Sequence, residues 1–313
     1  MLDLVSSTTS LASRFREEVL RGLAGFPKSL PSRWLYDEQG CLLFEEITRL
    51  PEYYPSRTEI AILRRHAHAI GSFLRPGVLI EYGAGAGIKS ETVLRAAGSQ
   101  VFVPVDIAGD FLEATAARLR QSLPGLLTIP VTADFTTDFS LPYGLGGPRS
   151  IFFPGSTIGN LDSLETHELL ERMREHADSD GRAVIGVDLK KDLDRLIPAY
   201  DDARGVTAAF NLNLLARINR ELGGTFDPAA FGHEARWNPT EDAIEMHLVS
   251  TANQTVEVAG VAFRFHIGET IHTESSRKYD VPGFALLAER AGWRCERIWS
   301  DPGAHFALFG LSV

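Results

Sequence analysis

The sequence predicts an α/β fold: a parallel, doubly wound sheet, with a second α+β lobe formed by the N-terminal segment and an insertion. Three observations carry this expectation. A short apolar run, Val78-Leu79-Ile80, leads through Glu81-Tyr82 into Gly83-Ala84-Gly85-Ala86-Gly87 and then into a helical segment. From there short apolar runs alternate with helix-period segments as far as Asp188. Past Asp188 the alternation stops, and Ile244-Glu245-Met246-His247-Leu248-Val249 has the period of an antiparallel strand with one buried face.

Composition narrows the function classes. The 313 residues suit one large domain or two smaller ones, and 44% hydrophobic content supports a sizeable core. A net charge of -10 argues against nucleic acid or an anionic membrane as the main partner. Cys41 and Cys295 alone make neither a disulfide framework nor a zinc site. Residues 1–20 mix Ser, Thr, Arg and Glu without the apolar core of a secretory signal. No run approaches the ~18 apolar residues of a membrane helix. The expectation is a soluble, cytoplasmic monomer. The nine histidines show no metal spacing, and His66 and His68 point apart on a predicted helix, so no metal is expected.

Taken in order, a helical pattern covers 11–23 and ends at Pro27 and Pro31. A short helix is expected over 42–47. Tyr53 and Tyr54 sit in a loop bracketed by Pro51 and Pro55, and Ser56 or Thr58 would cap a helix over 60–73. Strands are expected at 78–82, 101–105, 127–131, 150–153 and 183–188, with helices at 89–97, 109–122, 163–176 and 191–202. Leu222-Gly223-Gly224 ends a further helix. Antiparallel strands follow at 243–249, 255–258 and 261–267, then a polar stretch around 272–279. The first sheet resumes with a helix at 282–291 and strands at 294–299 and 305–313, joined by Ser300-Asp301-Pro302-Gly303. The domain division expected is 60–198 with 281–313, against 1–59 with 199–280.

Strand, glycine loop and helix bring backbone N–H groups close to a nucleotide-like ligand. Ile88 breaks both the dinucleotide pattern and the P-loop pattern, although Lys89-Ser90 and the acid-ended strand 184–188 keep a nucleotide-hydrolysing reading open. Glu81, Gly83, Gly85 and Gly87 fill the E-x-G-x-G-x-G loop of S-adenosylmethionine (SAM) methyltransferases. Asp106 ends the second strand, where an acid accepts both ribose hydroxyls of an adenosine. Asp134-Phe135 follows the third, where an acceptor takes the adenine amino group and a ring covers its face.

Several long strings then resemble the histidine-specific SAM-dependent methyltransferases: Ile47-Thr48-Arg49-Leu50-Pro51-Glu52-Tyr53-Tyr54-Pro55, Phe153-Pro154-Gly155-Ser156-Thr157-Ile158-Gly159-Asn160, Ala199-Tyr200-Asp201-Asp202 and Thr207-Ala208-Ala209-Phe210-Asn211. The resemblance runs from about Leu30 to Val313. It implies a Rossmann-like class I SAM methyltransferase fold and trimethylation of the histidine α-amine, the first step of ergothioneine biosynthesis. It implies SAM held through Gly83, Lys89, Asp106 and Asp134-Phe135, with Gly85 from the glycine loop. The amino acid is implied between the lobes, with Tyr53, Asn160 and Tyr200 around its carboxylate and amine and Tyr36 near the amine. Glu274 and Ser276 match the pair that reads the imidazole, and Met246 lies near the side-chain pocket. Tyr36, Tyr53, Asn160 and Tyr200 are thus the expected catalytic set, and Phe210 joins the tyrosines as a ring suited to a quaternary ammonium product. Sequence proximity alone would pair Glu274 with Arg277 or Lys278. A relative acting on tryptophan, a P-loop enzyme and a silent SAM-binding regulator are the alternatives.

Overall fold

Val78, Ile80 and Tyr82 pack into one apolar cluster, while Leu79 packs into another; Phe152 and Val184 likewise face away from Ile151, Phe153, Ala183 and Ile185. Strands buried on both faces need cover on both faces, which is the doubly wound arrangement. The structure, a computed structural model, describes residues 4–313.

The chain divides into two units. One comprises Thr48–Asp192, Pro239–Ala243 and Ser276–Val313. It holds an eight-stranded sheet ordered Arg294–Ser300, Phe306–Ser312, Arg182–Asp188, Arg149–Phe153, Val78–Tyr82, Val101–Asp106 and Leu127–Thr128, with Val131–Thr132 also beside Val101–Asp106. Phe306–Ser312 runs antiparallel to both its neighbours, and the remaining pairings are parallel. The chain enters this sheet on Val78–Tyr82 and adds strands on either side of it. Its carboxyl end is therefore the switch point at which such sheets take ligands. The closing hairpin is as the sequence led us to expect.

In this unit two elements differ from expectation. The strand over 127–131 is two short pieces, because Pro130 has no N–H to give the ladder. The helix over 60–73 starts earlier and is broken: Tyr54–Arg65 begins with Pro55 near its start, and Ala67–Leu74 follows a bend at His66. No side chain caps the first of these, so neither Ser56 nor Thr58 has the cap role.

The other unit comprises Met1–Ile47, Leu193–Asn238 and Ile244–Ser275. Its sheet is ordered Lys28–Ser29, Thr270–Arg277, Ala243–Ser250 and Phe231–Asn238. Gln254–Val258 and Val261–Phe265 form a separate antiparallel hairpin. The polar stretch 272–279 is largely a strand, a reading its Thr, Glu and Ser content hid; Ile271 and Thr273 are its fully buried positions. Helix Val206–Leu222 begins where Asp202 Oδ1 accepts the Thr207 N–H at 2.7 Å and Oδ2 the Val206 N–H at 3.1 Å, and it ends at left-handed Gly223.

Candidate active site

In the sheet unit the glycine loop follows Val78–Tyr82 directly. Gly83, Gly85 and Gly87 have φ of 67, 48 and 64°, values an L side chain adopts only with strain. The loop is tied down by its neighbours. Gly83 N–H donates to the Val105 carbonyl at 2.8 Å, and Thr115 Oγ1 donates to the Gly85 carbonyl at 2.7 Å. Asp106 Oδ2 accepts the Gly85 N–H at 3.1 Å and Oδ1 the Ala108 N–H at 3.0 Å. With the Ile107 N–H these take three of the carboxylate's four acceptor sites, leaving one for a further donor. Burial pushes the Asp106 carboxyl up from its ordinary value, against the backbone N–H groups of Ala108, Gly85 and Ile107.

Asp134 Oδ1 accepts from Thr136 N–H at 2.9 Å and from its hydroxyl at 2.6 Å, which sets the turn presenting Phe135. A Cβ on Gly83 would lie 3.5 Å from the Phe135 ring, so glycine leaves the loop backbone open beside that ring. The structure therefore brings Gly83, Gly85, Asp106 and Phe135 to one place at the strand ends. This arrangement fits an adenosine: acid for the ribose, ring for the base, open backbone between them.

Lys89 opens the following helix and pairs with Glu59, Nζ to Oε2 at 2.6 Å. Glu59 is fully buried and takes the Gly155 N–H on both oxygens, at 3.0 and 2.9 Å. A Cβ on Gly186 would meet Glu59 Oε1 at 2.1 Å, which explains the glycine in that strand. Glu81 is buried nearby. Burial first, then the charges of Glu59 and Asp106, push its carboxyl up to about 8, against the Ser90 hydroxyl and Lys89.

Still in this unit, Lys278 is fully buried in its side chain. Its Nζ lies 2.9 Å from Asp188 Oδ2 and donates to Ser276 Oγ at 2.8 Å. Lys191 Nζ reaches Asp188 Oδ1 at 2.6 Å, and the Tyr54 hydroxyl donates to Asp188 Oδ2 at 2.7 Å. The Asp188 N–H donates to Ser156 Oγ at 2.9 Å. Burial alone would raise the Asp188 carboxyl; Lys278, Lys191 and Tyr54 hold it below its ordinary value. Tyr53 is buried at the start of the Tyr54–Arg65 helix, and Asn160 ends the turn Thr157–Asn160. Arg277 pairs with Glu241 at 2.7 Å.

In the second unit Tyr36, Phe44 and Phe210 form a ring cluster, with centroids 5.4 to 6.0 Å apart. Glu274 is 7% exposed, and the Tyr36 hydroxyl lies 3.5 Å from its Oε1. Met246 is buried, and its carbonyl accepts from Thr273 Oγ1 at 3.0 Å. Tyr200 is buried and its carbonyl is fixed by His233 Nε2 at 2.8 Å. Asn211 Nδ2 lies 3.0 Å from His233 Nδ1. Here the structure brings together Tyr36, Phe210 and Glu274.

Comparison with known proteins gives this geometry its class. The family model described as "Histidine-specific methyltransferase, SAM-dependent" matches residues 15–313. The chain belongs to that family. A histidine N-alpha-methyltransferase of Mycolicibacterium smegmatis is 40% identical over 96% of this chain and 95% of its own length. One from Mycobacterium tuberculosis is 40% identical over 94% and 93%. Ergothioneine biosynthesis protein 1 of Neurospora crassa is 29% identical over 96% of this chain, which spans 33% of that protein. This histidine-specific methyltransferase uses SAM, which retires the P-loop reading of Lys89-Ser90.

Sequence reasoning did not single out Glu59, Tyr54, Lys191 or Lys278 as parts of a network. Tyr54 and Asp188 stood in strings already noted, but their pairing spans 134 residues and no local pattern announces it.

Proposed function

We propose that the chain transfers methyl groups from SAM to the α-amine of L-histidine, as far as Nα,Nα,Nα-trimethylhistidine (hercynine), opening ergothioneine biosynthesis. The observation that carries this reading is Glu274: a nearly buried carboxylate at the hydroxyl of Tyr36, whose ring packs on Phe210, suited to accept an imidazole N–H. Ser276, two residues on along strand Thr270–Arg277, is read as the partner of the other imidazole nitrogen, and Met246 as a wall of the side-chain pocket. Tyr53, Asn160 and Tyr200 are read as holding the carboxylate and amine. The relatives' names support both the substrate and the pathway.

Bound SAM supplies an electrophilic methyl on a sulfonium. In-line transfer requires a neutral amine at about 3 Å from that methyl, so orientation carries most of the work. Asp106 is read as fixing the ribose, Asp134 and Phe135 the adenine, and Gly83, Gly85 and Lys89 the remaining cofactor contacts. The trimethylated product has no N–H to satisfy. The faces of Tyr36 and Phe210 tolerate such a cation without needing a donor from it.

The test is mass spectrometry of products after incubation with SAM and each amino acid separately. Histidine gaining three methyl masses, with tryptophan unchanged, is the expected result. Methylated tryptophan in place of histidine would retire the roles of Glu274 and Ser276.

A further inference from the structure

We propose that Lys278 is a positioning residue that fixes the direction of the Ser276 hydroxyl, so that the enzyme selects the neutral imidazole of histidine, with its bare nitrogen toward Ser276 and its N–H toward Glu274. The inference rests on the imidazole reading of Glu274 and Ser276 given above, and adds a third residue and a charge state to it.

Donors and acceptors set the direction of the Ser276 hydroxyl. An ammonium has donors only, so in the 2.8 Å bond between Lys278 Nζ and Ser276 Oγ the serine oxygen accepts. The serine proton therefore points away from Lys278. Lys278 has little freedom to release it: its side chain is 0% exposed, and its Nζ is held 2.9 Å from Asp188 Oδ2. Asp188 is itself fixed by Lys191 at 2.6 Å and by the Tyr54 hydroxyl at 2.7 Å. The Lys278 backbone N–H is anchored on the Asp242 carbonyl at 2.8 Å, while the Asp242 carboxylate turns to Lys190. Among the titratable groups around Lys278 are Asp188, Lys191, Tyr54 and its neighbour Tyr279, with Glu274 further back on its own strand.

Residues two apart on a strand share a face, so Ser276 and Glu274 present their groups side by side. The pair offers one donor and one acceptor. A neutral imidazole matches it: its bare nitrogen accepts from Ser276 and its N–H donates to Glu274. An imidazolium has two donors and would set one of them against the serine proton. Free histidine titrates at the imidazole near pH ~6.5, so the distinction operates just below neutrality.

The experiment is kcat/KM for histidine across about pH 5.5 to 8 in four forms of the full chain: unchanged, Ser276→Ala, Lys278→Met and the double variant. In the unchanged enzyme, kcat/KM falls with a two-proton slope below the imidazole pKa, one proton for the amine and one for the ring. In Lys278→Met the hydroxyl is able to turn and accept from an imidazolium, so the slope relaxes toward one. Each single variant raises the histidine KM about tenfold near pH 8 while the SAM KM stays put. The double variant is no worse than either single one, because both remove one coupled interaction. Additive losses, or an unrelaxed slope in Lys278→Met, overturn the inference. Ser276→Ala impaired beside an unaffected Lys278→Met overturns it while sparing the imidazole reading. Ser276→Ala with unchanged histidine kinetics overturns both. Should Lys278→Met fail to fold, Asp188→Asn with Lys278→Met removes the Lys278–Asp188 charge pair, leaving Lys191 on the Tyr54 hydroxyl, and is judged by the same slope.

Discussion

Beside the glycine loop Asp106 is fixed by backbone N–H groups, whereas on strand Thr270–Arg277 the Ser276 hydroxyl is fixed through a relay of side chains that ends far away in sequence. Asp106 is held by the N–H groups of Gly85 and Ala108, 21 and 2 residues distant. Ser276 depends on Lys278, Lys278 on Asp188, and Asp188 on Tyr54, a pairing across 134 residues. The difference follows from what each region is read to bind. A cofactor common to a whole fold class is met by loop geometry, which a short motif encodes. A single amino acid is met by a particular set of side chains, and buried ones need partners that the fold alone brings near.

The largest effect separating the two regions is expected at Asp188. Asp188→Ala leaves two buried ammonium groups without their carboxylate and should destabilise the chain by about 3–5 kcal/mol, read from urea melts. A loss below about 1 kcal/mol would mean the network is not a structural unit.

Second comes Glu81, on the cofactor side. Its carboxyl stays neutral in the folded chain up to about 8, but in the unfolded chain it ionises near its ordinary 4.5. Between those values the unfolded state binds fewer protons, so stability from this group is present at low pH and is lost as pH rises through that window. Glu81→Gln should remove this slope and raise stability at the alkaline end by an amount on the order of a few kcal/mol. Melts of the two forms at several pH values across the window decide it; parallel curves would contradict it.

The third is a kinetic separation. Asp106→Ala should weaken SAM binding roughly 10- to 100-fold, the worth of charged hydrogen bonds, with the histidine KM nearly unchanged. Equal damage to both constants would break the separation. The smallest effect is expected at Glu59. Glu59→Gln keeps a hydrogen-bonding side chain beside Gly155 but drops the charge opposite Lys89. The SAM KM should rise about fivefold, near 1 kcal/mol, and Glu59→Ala should be worse.

These expectations track what was legible in the sequence. The sheet was readable because its strands are apolar runs buried on both faces, and the glycine loop because left-handed backbone requires Gly83, Gly85 and Gly87. The strand Thr270–Arg277 was not, since its Glu and Ser content reads as loop until the burial of Ile271 and Thr273 is seen. Pro130 is visible in the sequence, but a proline is tolerated at a strand edge, so the split shows only in the structure. Glu59 looked like an ordinary helix acid; its burial against Gly186 and Lys89 is a tertiary fact.

The proposed division of roles has Glu274 reading the amino acid while the glycine loop and Asp106 read SAM. The direct measurement is a competition assay of Glu274→Ala with histidine and tryptophan together, alongside a SAM titration of the same protein. The expected result is a histidine kcat/KM lowered roughly 10- to 100-fold, a collapsed preference over tryptophan, and an unchanged SAM affinity. Full histidine preference in Glu274→Ala, or a SAM affinity that falls with it, would rule that division out.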